Sequence, residues 1–300
     1  MILKEIQHIF HKELDAIFGE DEVASFFDIL LEQYLGIRRI DLILNPNLTI
    51  TKSEEQPLFE ALSRLKLEEP IQYIIGETEF YGLKLKVNKH TLIPRPETEE
   101  LVDFIIKSVA SSVSLQSQPR SNKPLKILDI GTGSGCIAIA LAKNIPGAKV
   151  YAMEVSENAL KLARENAKSN GVEVTFIHQD ILTASHAELF PASQKFGLIV
   201  SNPPYVRHLE KVEIKNNVLN YEPHLALFVE DNDPLVFYRA IAQFAVENLT
   251  ENGQLFFEIN QYLGEEMIRL LEGFGFQEIE LRKDLFGNDR MLKAMKKSIE

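Results

Sequence analysis

Four consecutive residues, Asn202-Pro203-Pro204-Tyr205, combine types that could hold a planar NH₂ group. An amide side chain and a proline carbonyl offer two acceptors for two N–H bonds, and an aromatic ring can cover one face. They follow Phe196-Gly197-Leu198-Ile199-Val200-Ser201, an apolar run of the kind that forms a buried strand. Pro203 and Pro204 cannot donate to a sheet ladder, so the strand must end there in a rigid corner. Open α/β sheets place their ligands at that edge. A Pro-rich turn without function is the plainer reading of Pro-Pro alone, but the Asn and Tyr flanks favour chemistry.

A second set lies upstream. Asp129-Ile130-Gly131-Thr132-Gly133-Ser134-Gly135 stands between a candidate strand and a helix beginning near Cys136. Glycines there let the backbone approach a ligand and aim helix N–H groups at it. A dinucleotide fingerprint needs Gly-x-Gly-x-x-Gly, and Cys136 stands where its third glycine would be. Asp129 can meet a cationic amine. Glu154, ending the next strand, is spaced to grip ribose hydroxyls. Asp180 can accept from an adenine amino group, with Ile181 against the ring. A nucleoside with a cationic amino-acid tail and no phosphates fits this set, and S-adenosylmethionine has that shape.

These residues need a sheet to position them. Seven candidate strands, 125–130, 149–155, 172–178, 196–201, 254–259, 276–281 and 291–295, alternate with helical patterns. That alternation means a mainly parallel sheet covered on both faces. The helices include Glu157–Ser169 and Leu235–Leu249. Ahead of them, Ile2 to Phe18 and Val23 to Leu35 carry apolar residues at helical spacing, each stopped by a glycine. A further helix carries Leu58 to Leu65, with Ser53 as its expected cap. Leu83, Leu85 and Val87 alternate with lysines as in a half-exposed strand, and Glu79-Phe80-Tyr81-Gly82 before it reads as the other arm or the turn of a hairpin. The expected division is a helical bundle over 1–70, a β-hairpin linker over 71–96 and an α/β domain over 97–300. The polar stretch Ser111 to Pro124 reads as a surface loop.

The totals set limits. At 300 residues with 45% hydrophobic content, the chain has room for two cores. No stretch has the apolar length of a membrane span. Cys136 is the only cysteine, so no disulfide forms within the chain and no cysteine cluster holds zinc. The seven histidines have no metal-ligand spacing. A cytoplasmic protein without a metal site is expected. The net charge of −12 is a poor footprint for wrapping a phosphate backbone. The late cations Arg282, Lys283, Arg290, Lys293, Lys296 and Lys297 read as a solvated strand pair and tail.

With both sets in view, the chain resembles the class I S-adenosylmethionine-dependent methyltransferases, and more narrowly the N5-glutamine methyltransferases of peptide chain release factors. Ile127 to Ala138 and Ile199 to Val206 carry the resemblance. Pro70 to Gly76, Glu79 to Leu83, Leu92-Ile93-Pro94-Arg95-Pro96-Glu97-Thr98-Glu99, Tyr221-Glu222-Pro223 and Asp284-Leu285 with Asp289-Arg290 also match. Glu154, Gly197 and Ile181 depart from the family pattern, which often has Asp, Asp and an aromatic there.

The resemblance implies a Rossmann-like seven-stranded class I methyltransferase sheet with a small N-terminal helical domain. It implies methyl transfer from S-adenosyl-L-methionine, giving S-adenosyl-L-homocysteine, to the side-chain amide of a glutamine in the Gly-Gly-Gln loop of release factors, a modification serving translation termination. Donor-binding residues are then Asp129, Gly131, Thr132, Gly133, Ser134, Gly135, Glu154, Asp180 and Ile181, with Asn202 shared. Asn202, Pro203, Pro204 and Tyr205 hold the substrate, and Asn202, Pro203 and Tyr205 serve catalysis. A ribosomal-protein glutamine is the sister possibility. An amino-methylating nucleic-acid enzyme would use the same corner, but should bring a basic face that the acidic N-terminal third does not suggest. A non-catalytic module on the same fold, and a nicotinamide dehydrogenase, are weaker rivals.

Overall fold

The computed structural model describes residues 1–114, 124–183 and 194–297. Two compact units are present, one of Met1–Glu77 with Lys215–Tyr221, the other of Thr78–Ile214 with Glu222–Glu300.

In the first unit, helices α1 (Leu3–Phe18), α2 (Glu20–Leu35), α3 (Arg39–Leu44), α4 (Lys52–Leu65) and α5 (Ile71–Ile75) run in sequence. Leu3, Ile6, Phe10 and Leu14 of α1 recur at helical spacing and meet Val23, Phe27, Leu30 and Leu31 of α2 and Leu58, Leu62 and Leu65 of α4. Phe10 and Phe27 pack edge to face, 5.1 Å between centroids. Gly36 closes α2 in the left-handed conformation. Thr51, not Ser53, caps α4: its hydroxyl accepts from the Glu54 N–H while Glu54 reaches back to the Thr51 N–H. Glu54 sits three residues past Thr51, the spacing a reciprocal cap requires. Helix α3 buries nothing.

In the second unit, hairpin strands β1 (Glu77–Phe80) and β2 (Leu83–Lys86) precede α6 (Pro96–Ser114). The expected loop from Ser111 is helical as far as Ser114; residues 115–123 lie outside the described residues. Then follow β3 (Lys126–Ile130), α7 (Cys136–Asn144), β4 (Lys149–Glu154), α8 (Glu157–Ser169), β5 (Val174–His178) and β6 (Phe196–Ser201). A two-residue pair, β7 (Val206–Arg207) with β8 (Phe228–Val229), flanks in sequence α9 (Asn216–Tyr221), which belongs to the first unit. The last elements are α10 (Val236–Asn248), β9 (Leu249–Glu258), α11 (Gly264–Gly273), β10 (Phe276–Lys283) and β11 (Asp289–Lys296).

All seven expected strands join one sheet, in the order β10-β11-β9-β6-β3-β4-β5. From β9 to β5 the strands are parallel, and β11 is antiparallel to both of its neighbours. Side chains alternate between two cores, as the strand period of two demands. Ile127, Leu198, Val200 and Phe256 face one with α6 and α7. Leu128, Ile199, Leu255 and Phe257 face the other with α10 and α11. Of the late cations, Arg282, Lys283 and Lys297 are exposed as expected, while Arg290, Lys293 and Lys296 are partly buried. Arg290 pairs with the buried Asp284 carboxylate at 3.3 Å. The Arg282 guanidinium lies over the Phe104 ring, 3.7 Å from its centroid, and Lys296 donates to the Val246 and Leu249 carbonyls. These groups bind helices and strands that sequence spacing does not bring together.

Candidate active site

Strand β3 has β4 on one side and β6 on the other, so the chain reverses direction across the sheet at β3. Ile130 pairs with Ser201, and the two parallel strands end together. The glycine turn and the Asn-Pro-Pro corner therefore leave the same edge side by side. A cavity of about 280 Å³ opens there, near the lower end of the ~300–1,000 Å³ common for small-molecule sites. Gly131, Thr132, Gly133, Ser134, Glu154, Asp180, Ile181, Asn202, Pro203 and Pro204 line it. Three residues expected in the site, Asp129, Gly135 and Tyr205, are not in the lining: Asp129 accepts from the Thr132 hydroxyl of the turn, Gly135 packs against Ile139 and Ala163, and the Tyr205 hydroxyl is tied to Glu258.

The turn needs its glycines. Gly131, Gly133 and Gly135 have φ of 75°, 55° and 86°, a region L side chains rarely adopt. At Gly135 a Cβ would also meet Ile139 Cδ1 at 2.9 Å and Ala163 Cβ at 3.2 Å, because α7 and α8 close on it. The Gly131 and Thr132 N–H groups donate to the Met153 carbonyl at 2.8 and 3.0 Å, tying the turn to β4. Asn166 of α8, fully buried, donates to the Ser134 and Lys86 carbonyls and accepts from the Lys86 N–H. One side chain thus fastens the hairpin and the turn to the same helix.

The carboxylates divide the work. Asp129 is fully buried, and its Oδ2 accepts from the Thr132 hydroxyl at 2.6 Å. Its Oδ1 has no hydrogen-bond partner. Burial pushes this carboxyl up to about 7, against the pull of the Thr132 hydroxyl and the nearby Ala138 N–H. Glu154 Oε2 accepts the Gly133 N–H at 3.0 Å, and Oε1 accepts from Val155 and Ser156, both at 2.9 Å. A carboxylate offers about four lone pairs, so one remains for a ligand hydroxyl. Asp180 Oδ1 accepts the Leu182 N–H at 2.8 Å, and Ile181 is buried beside it.

At the corner, Asn202 is half-buried, and its Nδ2 donates to Thr98 Oγ1 at 3.2 Å. Thr98 Oγ1 donates in turn to Glu258 Oε2 at 2.7 Å. The Tyr205 hydroxyl donates to Glu258 Oε1 at 3.0 Å, and Asn260 holds the Tyr205 carbonyl at 3.0 Å. Burial raises Glu258 above the usual carboxylate range, and burial with the Glu258 charge raises the Tyr205 phenol. Glu222 accepts the Ile93 N–H at 3.1 Å and pairs with Arg95, fixing the Ile-Pro-Arg-Pro segment, of which Pro94 lines the cavity.

Sequence reading assigned no role to Thr98, Glu258, Glu222 or Asn166. Each carried a signal. Glu258 is a charge ending the apolar run Leu255-Phe256-Phe257, and a buried charge implies a partner. Asn166 shares the buried face of α8 with Leu162, Ala163 and Ala167. Glu222 and Thr98 fall inside matched motifs. Among the described residues, no cluster of His, Cys, Asp or Glu is arranged to hold a metal, and no helix is long and apolar enough to cross a membrane.

Known proteins share this architecture. The chain matches the Methyltransferase small domain over residues 109–224 and the PrmC N-terminal domain over residues 11–76. The 16S rRNA N2 G1207 methyltransferase of T. thermophilus, solved with AdoMet and guanosine, superposes with a TM-score of 0.50 at 19% identity, over 74% of this chain and 50% of that one. At that identity the likeness is one of fold. Sequence relatives go further. A release factor glutamine methyltransferase of Flavobacterium psychrophilum is 54% identical over 98% of this chain and 99% of its own length. One from Bacteroides thetaiotaomicron is 41% identical over 97% and 99%. With identity of that order running from the first helices to the last strand, the chain belongs to the release factor glutamine methyltransferase family.

Proposed function

We propose that this protein transfers a methyl group from S-adenosylmethionine to the side-chain amide nitrogen of a glutamine in peptide chain release factors. The observation that carries this reading is the Asn202 carboxamide. Its nitrogen is turned to Thr98, so its oxygen is left for a ligand, beside Pro203 and on the cavity shared with the glycine turn.

The residues fit the donor. Asp129 lies behind the cavity lining, and its orphaned Oδ1 suits a cationic amine reached through a bridging water. The turn from Gly131 to Gly135 gives close backbone approach, Glu154 has a lone pair for a ribose hydroxyl, and Asp180 with Ile181 suits an adenine edge and face. When bound, S-adenosylmethionine supplies a methyl group activated by its sulfonium.

An amide nitrogen is a poor nucleophile, because its lone pair is delocalised into the carbonyl. Asn202 Oδ1 and the Pro203 carbonyl each accept one N–H of the substrate carboxamide, holding it and favouring pyramidal character at nitrogen. Tyr205, anchored through its hydroxyl and carbonyl, stiffens the corner. The surplus proton leaves to solvent after transfer. The helical segment 1–70 docks the release factor, the hairpin segment 71–96 connects, and 97–300 carries the chemistry, in the cytoplasm where release factors work. Nucleic acid is not a direct substrate.

Incubation with labelled donor and either a release factor or nucleic acid tests the reading. Label in the release factor supports it; label in nucleic acid alone refutes it.

A further inference from the structure

We propose that Thr98 and Glu258 are positioning residues for Asn202, fixing its amide so that oxygen rather than nitrogen faces the carboxamide to be methylated. This rests on the glutamine reading above.

A threonine hydroxyl has one proton. Thr98 spends it on Glu258 Oε2 at 2.7 Å, the shorter of its two contacts. Its oxygen then has only lone pairs to offer Asn202, so the 3.2 Å contact requires the Asn202 NH₂ group. A carboxamide is nearly symmetric in shape and turns over easily where nothing distinguishes its ends. Turned over, Asn202 would present N–H groups to the substrate's N–H groups and an oxygen to the Thr98 lone pairs. Both contacts would then repel.

The direction of the chain is set at Glu258. Burial raises the Glu258 pKa, but the hydrogen bonds from the Thr98 and Tyr205 hydroxyls and the Arg290 charge pull the other way and favour the ionised carboxylate that accepts at both oxygens. Arg290 supplies the balancing charge and is itself fixed on Asp284 and the Ile259 carbonyl. Glu258 ends β9, and β9 pairs with β6, the strand that ends one residue before Asn202. The carboxylate is thus built into the same sheet edge as the group it orients. Neither Thr98 nor Glu258 need touch the reacting atoms.

The test compares wild type, Thr98→Val, Thr98→Ser and Glu258→Gln under saturating donor, reading kcat, KM for release factor and donor affinity separately. Valine keeps the shape of threonine but has no hydroxyl, so Thr98→Val lowers kcat by on the order of 100-fold while donor affinity stays at the wild-type value. Thr98→Ser restores kcat to within a few-fold. Glu258→Gln also lowers kcat, because glutamine offers one oxygen to two hydroxyl donors. The Thr98→Val, Glu258→Gln double variant loses no more than the worse single variant, because both act through one chain. Wild-type kcat in Thr98→Val, a Thr98→Ser as impaired as Thr98→Val, or losses that multiply would each overturn the inference. The orientation is also read without substitution: in protein labelled with ¹⁵N-asparagine, the Asn202 NH₂ protons give nuclear Overhauser contacts to Thr98. Absence of those contacts overturns it as well. Wild-type turnover is measured first. If it is absent, the glutamine reading fails; normal wild-type turnover with undiminished Thr98→Val defeats only the role of Thr98.

Discussion

The Ser201 hydroxyl donates to the Ile130 carbonyl at 2.6 Å across paired parallel strands. Each residue is the last of its strand before a functional turn. The bond locks the origin of the glycine turn to the origin of the Asn-Pro-Pro corner, so the distance between donor pocket and amide grip is set by one strand spacing. Two segments about seventy positions apart in the chain become one site through a single register.

The corner is the first point to probe. Asn202→Ala removes an acceptor that acts where charge develops, and is expected to lower kcat by about 10²–10³-fold, or ~3–4 kcal/mol. Donor affinity, read by calorimetry, should change little. Near-wild-type turnover would remove Asn202 from the mechanism.

Asn166 joins α8 to the hairpin and the glycine turn through three hydrogen bonds. Asn166→Ala leaves buried backbone groups of Lys86 and Ser134 unpaired and should cost about 2–4 kcal/mol of stability. A melting curve checks this. Donor affinity should fall too, because the turn loses its tie.

Asp129 predicts a pH dependence. Its folded-state carboxyl lies near 7, above the ordinary 3.8, so between those values the native state binds more protons than the unfolded chain. Stability of the ligand-free protein therefore falls as pH rises from about 4 to about 7 and stays lower above that, with about 4 kcal/mol as the ceiling. Asp129→Asn should flatten this dependence in melting curves recorded across the range. The same variant should weaken donor binding by roughly 10–100-fold, since a cationic amine loses its charged acceptor. If Asp129→Asn melts with the same pH profile as wild type, the carboxyl does not carry the burden described here.

Gly135 combines a left-handed backbone with contact to Ile139 and Ala163. Gly135→Ala should destabilise the protein by about 1–3 kcal/mol through backbone strain, with further loss from the contact. Donor affinity should drop with it. An alanine variant that melts and binds like wild type would show that the turn tolerates a side chain.

Much of this was readable from residue types. Phe196 to Ser201 forms a strand over the bounds its apolar run and the following prolines imply. Glu157–Ser169 is a helix over its expected span because Ser156 caps it and its apolar residues keep helical spacing. Strand β9 begins at Leu249 rather than Gln254: the polar residues Thr250 to Gly253 interrupt the apolar run, yet the chain passes them with a register irregularity against β6. Helix α5 escaped notice because Ile71–Ile75 is too short for periodicity to show. Glycine spacing and the Asn-Pro-Pro-Tyr corner mark the cavity because local backbone constraint leaves local traces. The Thr98–Glu258 chain leaves none: its members are 160 positions apart, and only the sheet brings them together.

The most direct measurement is mass spectrometry of a release factor after incubation with the protein and S-adenosylmethionine. One added methyl group should appear, mapped by fragmentation to the side-chain nitrogen of the glutamine in the Gly-Gly-Gln loop, and should vanish with Asn202→Ala. An unmodified release factor, or a methyl group on any other residue, would contradict the account.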